Sequence, residues 1–275
     1  MRDHRKMLLV GINAALFGGL SLAHASLVAS DNITNNPPYS GYNNFNGLNG
    51  GTGFGPWSAT NVSGGTGGDF QWNNTPLATP GSAGGFDIYD NGVQNGGAPT
   101  DEFAAIRPFM GALAANQAFS FIDQLHYNSN ASNGGPGNLG FSLEDSSGNS
   151  LFDFHTAGGN YLLSDATQTL TPTSVSYNYN QINTFDFALN SVGPTTAAYT
   201  FTVYGTAQSP ETFTGTISTL TGGISQAAIY NNNGGGGSDV EFDNLNITNV
   251  PEPVSFAMTG LAAASLLIRR RSRSR

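Results

Sequence analysis

Phe119-Ser120-Phe121-Ile122-Asp123-Gln124-Leu125-His126-Tyr127 decides the fold. Phe119, Phe121, Asp123, Leu125 and Tyr127 alternate with Ser120, Ile122, Gln124 and His126, a period of two with one lapse on each side. Successive side chains of an extended chain leave in opposite directions, so this is the pattern of a strand with one buried face. The neighbouring sequence repeats it. Leu139, Phe141 and Leu143 alternate, residues 145–149 supply turn chemistry, and Leu151-Phe152-Asp153-Phe154 resumes, which reads as a hairpin. Phe185, Phe187 and Leu189 form a further run, as do Tyr199, Phe201 and Val203, with a weaker one from Phe213 to Ile217. Gly, Asn and Ser clusters such as residues 128–137 and 231–238 separate the runs. No helical period of a dozen residues occurs in the body, and residues 102–115 are the one ambiguous stretch.

About a dozen short strands with turns between them predict an all-β domain, a β-sandwich of the jelly-roll, concanavalin-like kind over residues 26–249. Residues 31–53, rich in Asn and Gly, read as a loop-dominated entry to it. The composition agrees. Of 275 residues, 38% are hydrophobic and 11% aromatic, enough for a core, and only 10% are charged. Low hydrophobicity with high charge, the mark of disorder, is the opposite case.

The cations sit almost wholly at the two ends. Residues 26–250 hold sixteen carboxylates and one Arg, Arg107, a formal charge of −15. Such a body cannot neutralise a row of phosphates, which excludes nucleic-acid binding. It has no Lys, which excludes a P-loop or Schiff-base lysine, and no Cys, which excludes thiol catalysis, Cys-ligated zinc, Fe–S clusters and disulfides. No G-x-S-x-G elbow occurs, and Gly51-Thr52-Gly53-Phe54-Gly55 lacks the strand–helix context of a dinucleotide loop.

Residues 1–25 read as a signal peptide. A basic start with Arg2, Arg5 and Lys6 precedes a mostly apolar run to Leu22, and Ala23-His24-Ala25 gives signal peptidase a small-x-small site before Ser26. Residues 250–275 contain Pro251-Glu252-Pro253, an apolar run over 254–268, and a tail carrying Arg269, Arg270, Arg271, Arg273 and Arg275. Fifteen residues at 1.5 Å reach about 22 Å as a helix, short of a ~30 Å hydrocarbon core, and flanking arginines can snorkel to make up the difference. The Arg cluster would remain cytoplasmic and leave the body outside.

This tail resembles the PEP-CTERM sorting signal, in which a Pro-Glu-Pro motif, a short transmembrane helix and a terminal Arg cluster follow one another. The resemblance implies a Gram-negative-type envelope and recognition by an exosortase. It also implies anchoring in the inner membrane before processing, then a place at the cell surface or in an exopolysaccharide and biofilm matrix. The body is similar to passengers that precede such tails, with residues 49–57 (Asn-Gly-Gly-Thr-Gly-Phe-Gly-Pro-Trp) near its start and a Phe-Asp-Asn strand near its end. That likeness brings no activity.

Asp239, Glu241 and Asp243 alternate with Val240 and Phe242, so on a strand they share a face about 6–7 Å apart. Leu245 and Ile247 are out of phase with Val240 and Phe242, which predicts a bulge near Asp243-Asn244. Three carboxylates beside a kink and a Gly loop could hold a structural calcium ion, a hard cation that takes oxygen ligands, or could form the solvated face of an edge strand. Residues 234–239 match one copy of G-G-x-G-x-D, and a single copy cannot stack, so it reads as a turn. Glu241-Phe242-Asp243 resembles the start of the E-x-D-x-x-E signature of laminarinase-like glycosidases, but its second acid falls on Asn246. Asp101-Glu102 and Glu144-Asp145 are adjacent and would point to opposite faces of a strand. His126 and His155 lack metal-ligand spacing and read as surface residues. Trp57 and Trp72, with Tyr39, Tyr42, Tyr89, Tyr177 and Tyr179, are the aromatics that could stack on a neutral sugar polymer or fill the core. The expectation is an exported, non-enzymatic surface or matrix protein without catalytic residues, and without a cofactor beyond that calcium. The alternative is a glycan-active hydrolase or lyase on the same scaffold, for which converging carboxylates in a groove would speak.

Overall fold

The computed structural model describes residues 25–250, apart from 36–37, 40, 42, 64–66, 73–75, 79–83, 91–101, 128–137, 158–159, 177–180, 206–208 and 233–237. Fifteen strands and no helix occur among them. The first eight are β1 (Ser26–Asp31), β2 (Ser58–Ser63), β3 (Gly68–Trp72), β4 (Gly85–Asp90), β5 (Glu102–Pro108), β6 (Gln117–Tyr127), β7 (Asn138–Glu144) and β8 (Ser150–Ala157). The remainder are β9 (Asn160–Ser164), β10 (Thr171–Ser176), β11 (Ile182–Val192), β12 (Thr196–Gly205), β13 (Glu211–Ser218), β14 (Gln226–Asn232) and β15 (Ser238–Asn249).

They form two antiparallel sheets. One has eight strands in the order β13-β12-β11-β6-β15-β4-β3, with β1 also paired to β15; the other has seven in the order β10-β9-β8-β7-β14-β5-β2. The alternating apolar faces meet as an aromatic core. Phe121 lies 5.0 Å from Phe141, Phe152 4.9 Å from Phe187, and Phe154 4.8 Å from Phe201 between ring centroids, each crossing from one sheet to the other in an edge-to-face arrangement. The chain is thus an all-β sandwich over Ser26–Asn249.

Local expectations can be checked strand by strand. The residue 139–154 hairpin forms, with Phe141 opposite Phe154 and Leu143 opposite Phe152. The ambiguous stretch opens as β5, whose consecutive Ala104 and Ala105 are both buried and blur its period. The predicted bulge is present: the β15–β6 register shifts between Asp243 and Asn246, and Asn244 takes φ +55°. The polar lapse in β6 is a buried acid. Asp123 is pushed up to about 8 by burial, and Asn183 Nδ2 donates to its Oδ1 at 3.3 Å.

The described residues between 32 and 57 carry no strand, and Arg107 pins them. Its Nη2 stands 2.6 Å from Asp31 Oδ2 and 2.9 Å from Asn49 Oδ1, its Nη1 donates to the Gly55 carbonyl, and its guanidinium lies 4.8 Å over the Trp57 ring. The one cation of the body is therefore a structural staple.

Ala23, the sorting motif Pro251-Glu252-Pro253 and the anchor residues Arg269, Arg270 and Arg271 lie outside the described residues, as does the apolar run over 254–268. Ser26 opens β1, opposite Asn249. No helix long and apolar enough to cross a membrane occurs among the described residues.

Candidate functional site

The polar face of the seven-stranded sheet carries the densest chemistry. In a strand the residues between core positions point outward, so β7 presents Asn138, Gly140, Ser142 and Glu144, and β8 presents Asp153 and His155. Antiparallel register sets these beside Gln226, Ala228, Tyr230 and Asn232 of β14 and Glu102, Ala104 and Ile106 of β5. Ala104, Ala228 and Gly140 are small, which lowers the middle of the face. A groove of about 440 Å³ results, rimmed by Glu102, Glu144 and Asp153.

Gly140 is required by close approach. It lies between Tyr230 and His155 in register, and a Cβ on it would come 2.6 Å from His155 Cβ and into the Phe154 carbonyl. Its lack of a side chain lets the His155 and Tyr230 rings stand 6.4 Å apart over the same carboxylate. Tyr230 OH donates to Asp153 Oδ2 at 2.6 Å, and His155 Nδ1 meets Asp153 Oδ1. Glu144 is held by Ser142 Oγ at 2.6 Å and Gln226 Nε2 at 2.7 Å. Asn232 Nδ2 lies 3.4 Å from Glu102 Oε2.

Electrostatics bind these groups together. Burial, then the charges of Glu144 and Asp153, push the Glu102 carboxyl up. Burial and the Asp153 charge push the Tyr230 phenol well above its ordinary value, so it remains a proton-bearing donor. No Lys or Arg lines the groove. The arrangement offers carboxylate acceptors, amide donors and an imidazole oriented through Nδ1, a set suited to sugar hydroxyls.

The sequence-predicted residues fare differently. Trp57 is 2% exposed, its Nε1 donates to Tyr39 OH at 3.0 Å and Asp31 Oδ2 at 3.2 Å, and Phe86 and Phe242 pack on it. It offers no face to a sugar, and Tyr39 is buried with it, because the Arg107 staple draws both inward. Trp72 ends β3, with its side chain outside the described residues, as is that of His126. His155 is buried in the groove rather than on the open surface.

Asp239, Glu241 and Asp243 lie on β15, which runs between β6 and β4 and is no edge strand. Glu241 and Asp243 are buried, Ile33 N donates to Asp243 Oδ1 at 2.9 Å, and burial pushes Asp243 up to about 6. Among the described residues no group of three or more His, Asp or Glu is placed to hold a metal ion. The structure instead gathers Glu102, Glu144, Asp153, His155 and Tyr230, which sequence reasoning left scattered. Glu144 and Asp145 do diverge, Glu144 to the groove and Asp145 to the turn that follows.

No protein-family model and no curated protein matches the sequence. Among solved structures the chain is similar to peanut lectin with a 9mer peptide, at 10% identity and a TM-score of 0.44, over 82% of this chain and 97% of that one. It is also similar to domain 4 of AbnA, a GH43 extracellular arabinanase from Geobacillus stearothermophilus, in complex with arabinotriose (17% identity, TM-score 0.42, 82% and 93% covered). A PL-14 alginate lyase from Aplysia kurodai follows at 12% identity and a TM-score of 0.35, over 62% and 85%.

Proposed function

We propose that this is an exported surface or matrix protein of the PEP-CTERM kind, whose concanavalin-like sandwich holds exopolysaccharide in the groove of the seven-stranded sheet. The observation that carries the binding role is the convergence of Glu102, Glu144, Asp153, His155 and Tyr230 from four adjacent strands onto one groove. The route rests on residues 1–25 and 250–275, handled by signal peptidase and an exosortase. The ligand is a neutral polymer: a groove with three carboxylates and no cation repels uronate chains.

The test is retention of the protein on its own matrix polysaccharide, compared between wild type and Glu144→Ala. Removing two acceptors at the groove rim should weaken retention roughly tenfold, the cost of about 1.4 kcal/mol of polar contact. Equal retention by both sinks the groove as the site. The route is tested by intact mass: protein from the culture matrix should start at Ser26 and end near or before Pro253, whereas retention of residues 269–275 would overturn exosortase processing.

The raised Glu102 carboxyl beside Glu144 supports a second reading, a glycosidase in which Glu102 is the proton donor. Release of reducing ends by wild type and its loss in Glu102→Gln, with binding intact, would favour it.

A further inference from the structure

One end of the sandwich differs from the rest of the body. The loop after β5, the end of β11 with the turn that follows it, and the loop before β14, residues 109–116, 190–195 and 219–225, hold no Asp, Glu, Lys or Arg, in a body of formal charge −15. They are knitted into one surface: Leu113 N donates to the Ile224 carbonyl at 2.7 Å, Asn116 N to the Leu189 carbonyl at 2.7 Å, and Thr219 N to the Thr195 carbonyl at 3.0 Å. Between them lies an apolar cavity of about 370 Å³, lined by Leu113, Leu189, Val192 and Ile217 among others. In the same segments Met110 is 78% and Leu220 73% exposed, and Val192, which lines the cavity, is open to solvent, as is Leu27 of β1. Among the described residues three acids border this end: Asp145 accepts from the backbone of Ser147 and Asn149 and from the Thr221 side chain, Asp165 from the backbone of Thr167 and Gln168, and Glu144, whose carbonyl accepts from Ser225 N, is held by Ser142 and Gln226.

The chain also leaves the fold here. Asn249 pairs with Ser26 and Gln117, and Gln117 Nε2 donates to Asn249 Oδ1 at 3.2 Å, one turn away from Ala114 in the same loop. From Asn249 to Val254, where the apolar run begins, is five residue steps, at most about 18 Å when extended. With residues 254–268 read as a membrane anchor, this end of the body lies within that reach of a bilayer.

We propose that the uncharged end formed by residues 109–116, 190–195 and 219–225 docks on the surface of a zwitterionic phospholipid bilayer, with Met110 and Leu220 inserted at the headgroup–acyl boundary. The proposal rests on the reading of residues 254–268 as a membrane anchor and concerns the chain before it is processed. Single apolar side chains scattered on a surface mean little, but an apolar cavity in segments that hold no charged residue, with Met110 and Leu220 exposed beside it and the tether close by, fits a lipid surface.

The test uses the full chain in phosphatidylcholine proteoliposomes. The protein has no Cys, so Met110→Cys, Leu220→Cys, Ser209→Cys and Ala262→Cys each place one environment-sensitive fluorophore. Lipid-borne doxyl quenchers should remove most of the emission at positions 110, 220 and 262 and leave position 209 unchanged. Quenching at 262 with none at 110 and 220 overturns the docking and keeps the anchor. No quenching at 262 overturns both. A blue shift at 110 and 220 without lipid quenching would put a second copy of the chain on the patch and overturn the lipid assignment.

Discussion

Arg107 and Asp31 form a fully buried ion pair, Nη2 to Oδ2 at 2.6 Å, that joins β5 to the end of β1. Such pairs stabilise little against an apolar pair, but breaking one leaves a charge stranded in the core. Arg107→Met should therefore cost about 3–5 kcal/mol at neutral pH. The double variant with Asp31→Asn should recover part of that loss. Urea denaturation checks both, and a double variant no better than the single one would assign the cost to lost loop contacts instead of stranded charge.

Asp123 makes stability depend on pH. Its native value of about 8 stands above the ordinary 3.8, so between those two the folded chain carries a proton that the unfolded chain has lost. Stability from this group is thus full below about pH 4, falls as pH rises towards 8 and is level beyond, by a few kcal/mol in all. Asp243, at about 6, adds to the lower part of the same window. Asp123→Asn should flatten the slope between pH 6 and 8 and roughly halve that between 4 and 6, where Asp243 still acts, as read from melting temperature against pH. An unchanged slope would place the proton elsewhere.

Gly140→Ala should damage the groove before it damages the fold. The added methyl meets His155 Cβ at 2.6 Å and the Phe154 carbonyl, so β8 must shift and the Asp153–His155–Tyr230 contacts with it. A loss of about 1–3 kcal/mol in stability is expected from such overpacking. Polysaccharide retention should fall with it, even at temperatures where the variant is fully folded.

Calcium removal tests the β15 carboxylates directly. With Asp243 Oδ1 taken by Ile33 N and Glu241 buried, chelation by EDTA should leave the melting temperature unchanged. A fall reversed by calcium would restore Asp239, Glu241 and Asp243 as an ion site.

The fold was legible wherever alternation was clean. β6, the β7–β8 hairpin, β11 and β12 follow from Phe119–Val203 alone, and even the β15 bulge followed from the phase change after Phe242. The groove was not legible, because its members lie on β5, β7, β8 and β14, and only the β7–β8 neighbourhood is local in sequence. Glu102 and Tyr230 are brought to Gly140 and His155 by β14 inserting between β7 and β5, a pairing that no periodicity encodes. One signal was present: Asp153 and His155 share the outward face of β8 at a spacing of two. Trp57 stayed open between sugar and core because an aromatic near Gly and Asn looks the same in sequence whether it faces sugar or, as here, a buried guanidinium.

β15, the last strand in chain order, lies between β6 and β4 and also pairs with β1. Until residues 238–249 arrive, the eight-stranded sheet is two separate ribbons and an unpaired β1, with open hydrogen-bonding edges and a slot between them. The sandwich cannot close progressively as the chain is made; it must wait for its final strand to slide into the middle. Such sequence-distant closure is slow, and the waiting chain exposes strand edges throughout. A polypeptide of this topology completes its larger sheet only with the last of its described strands.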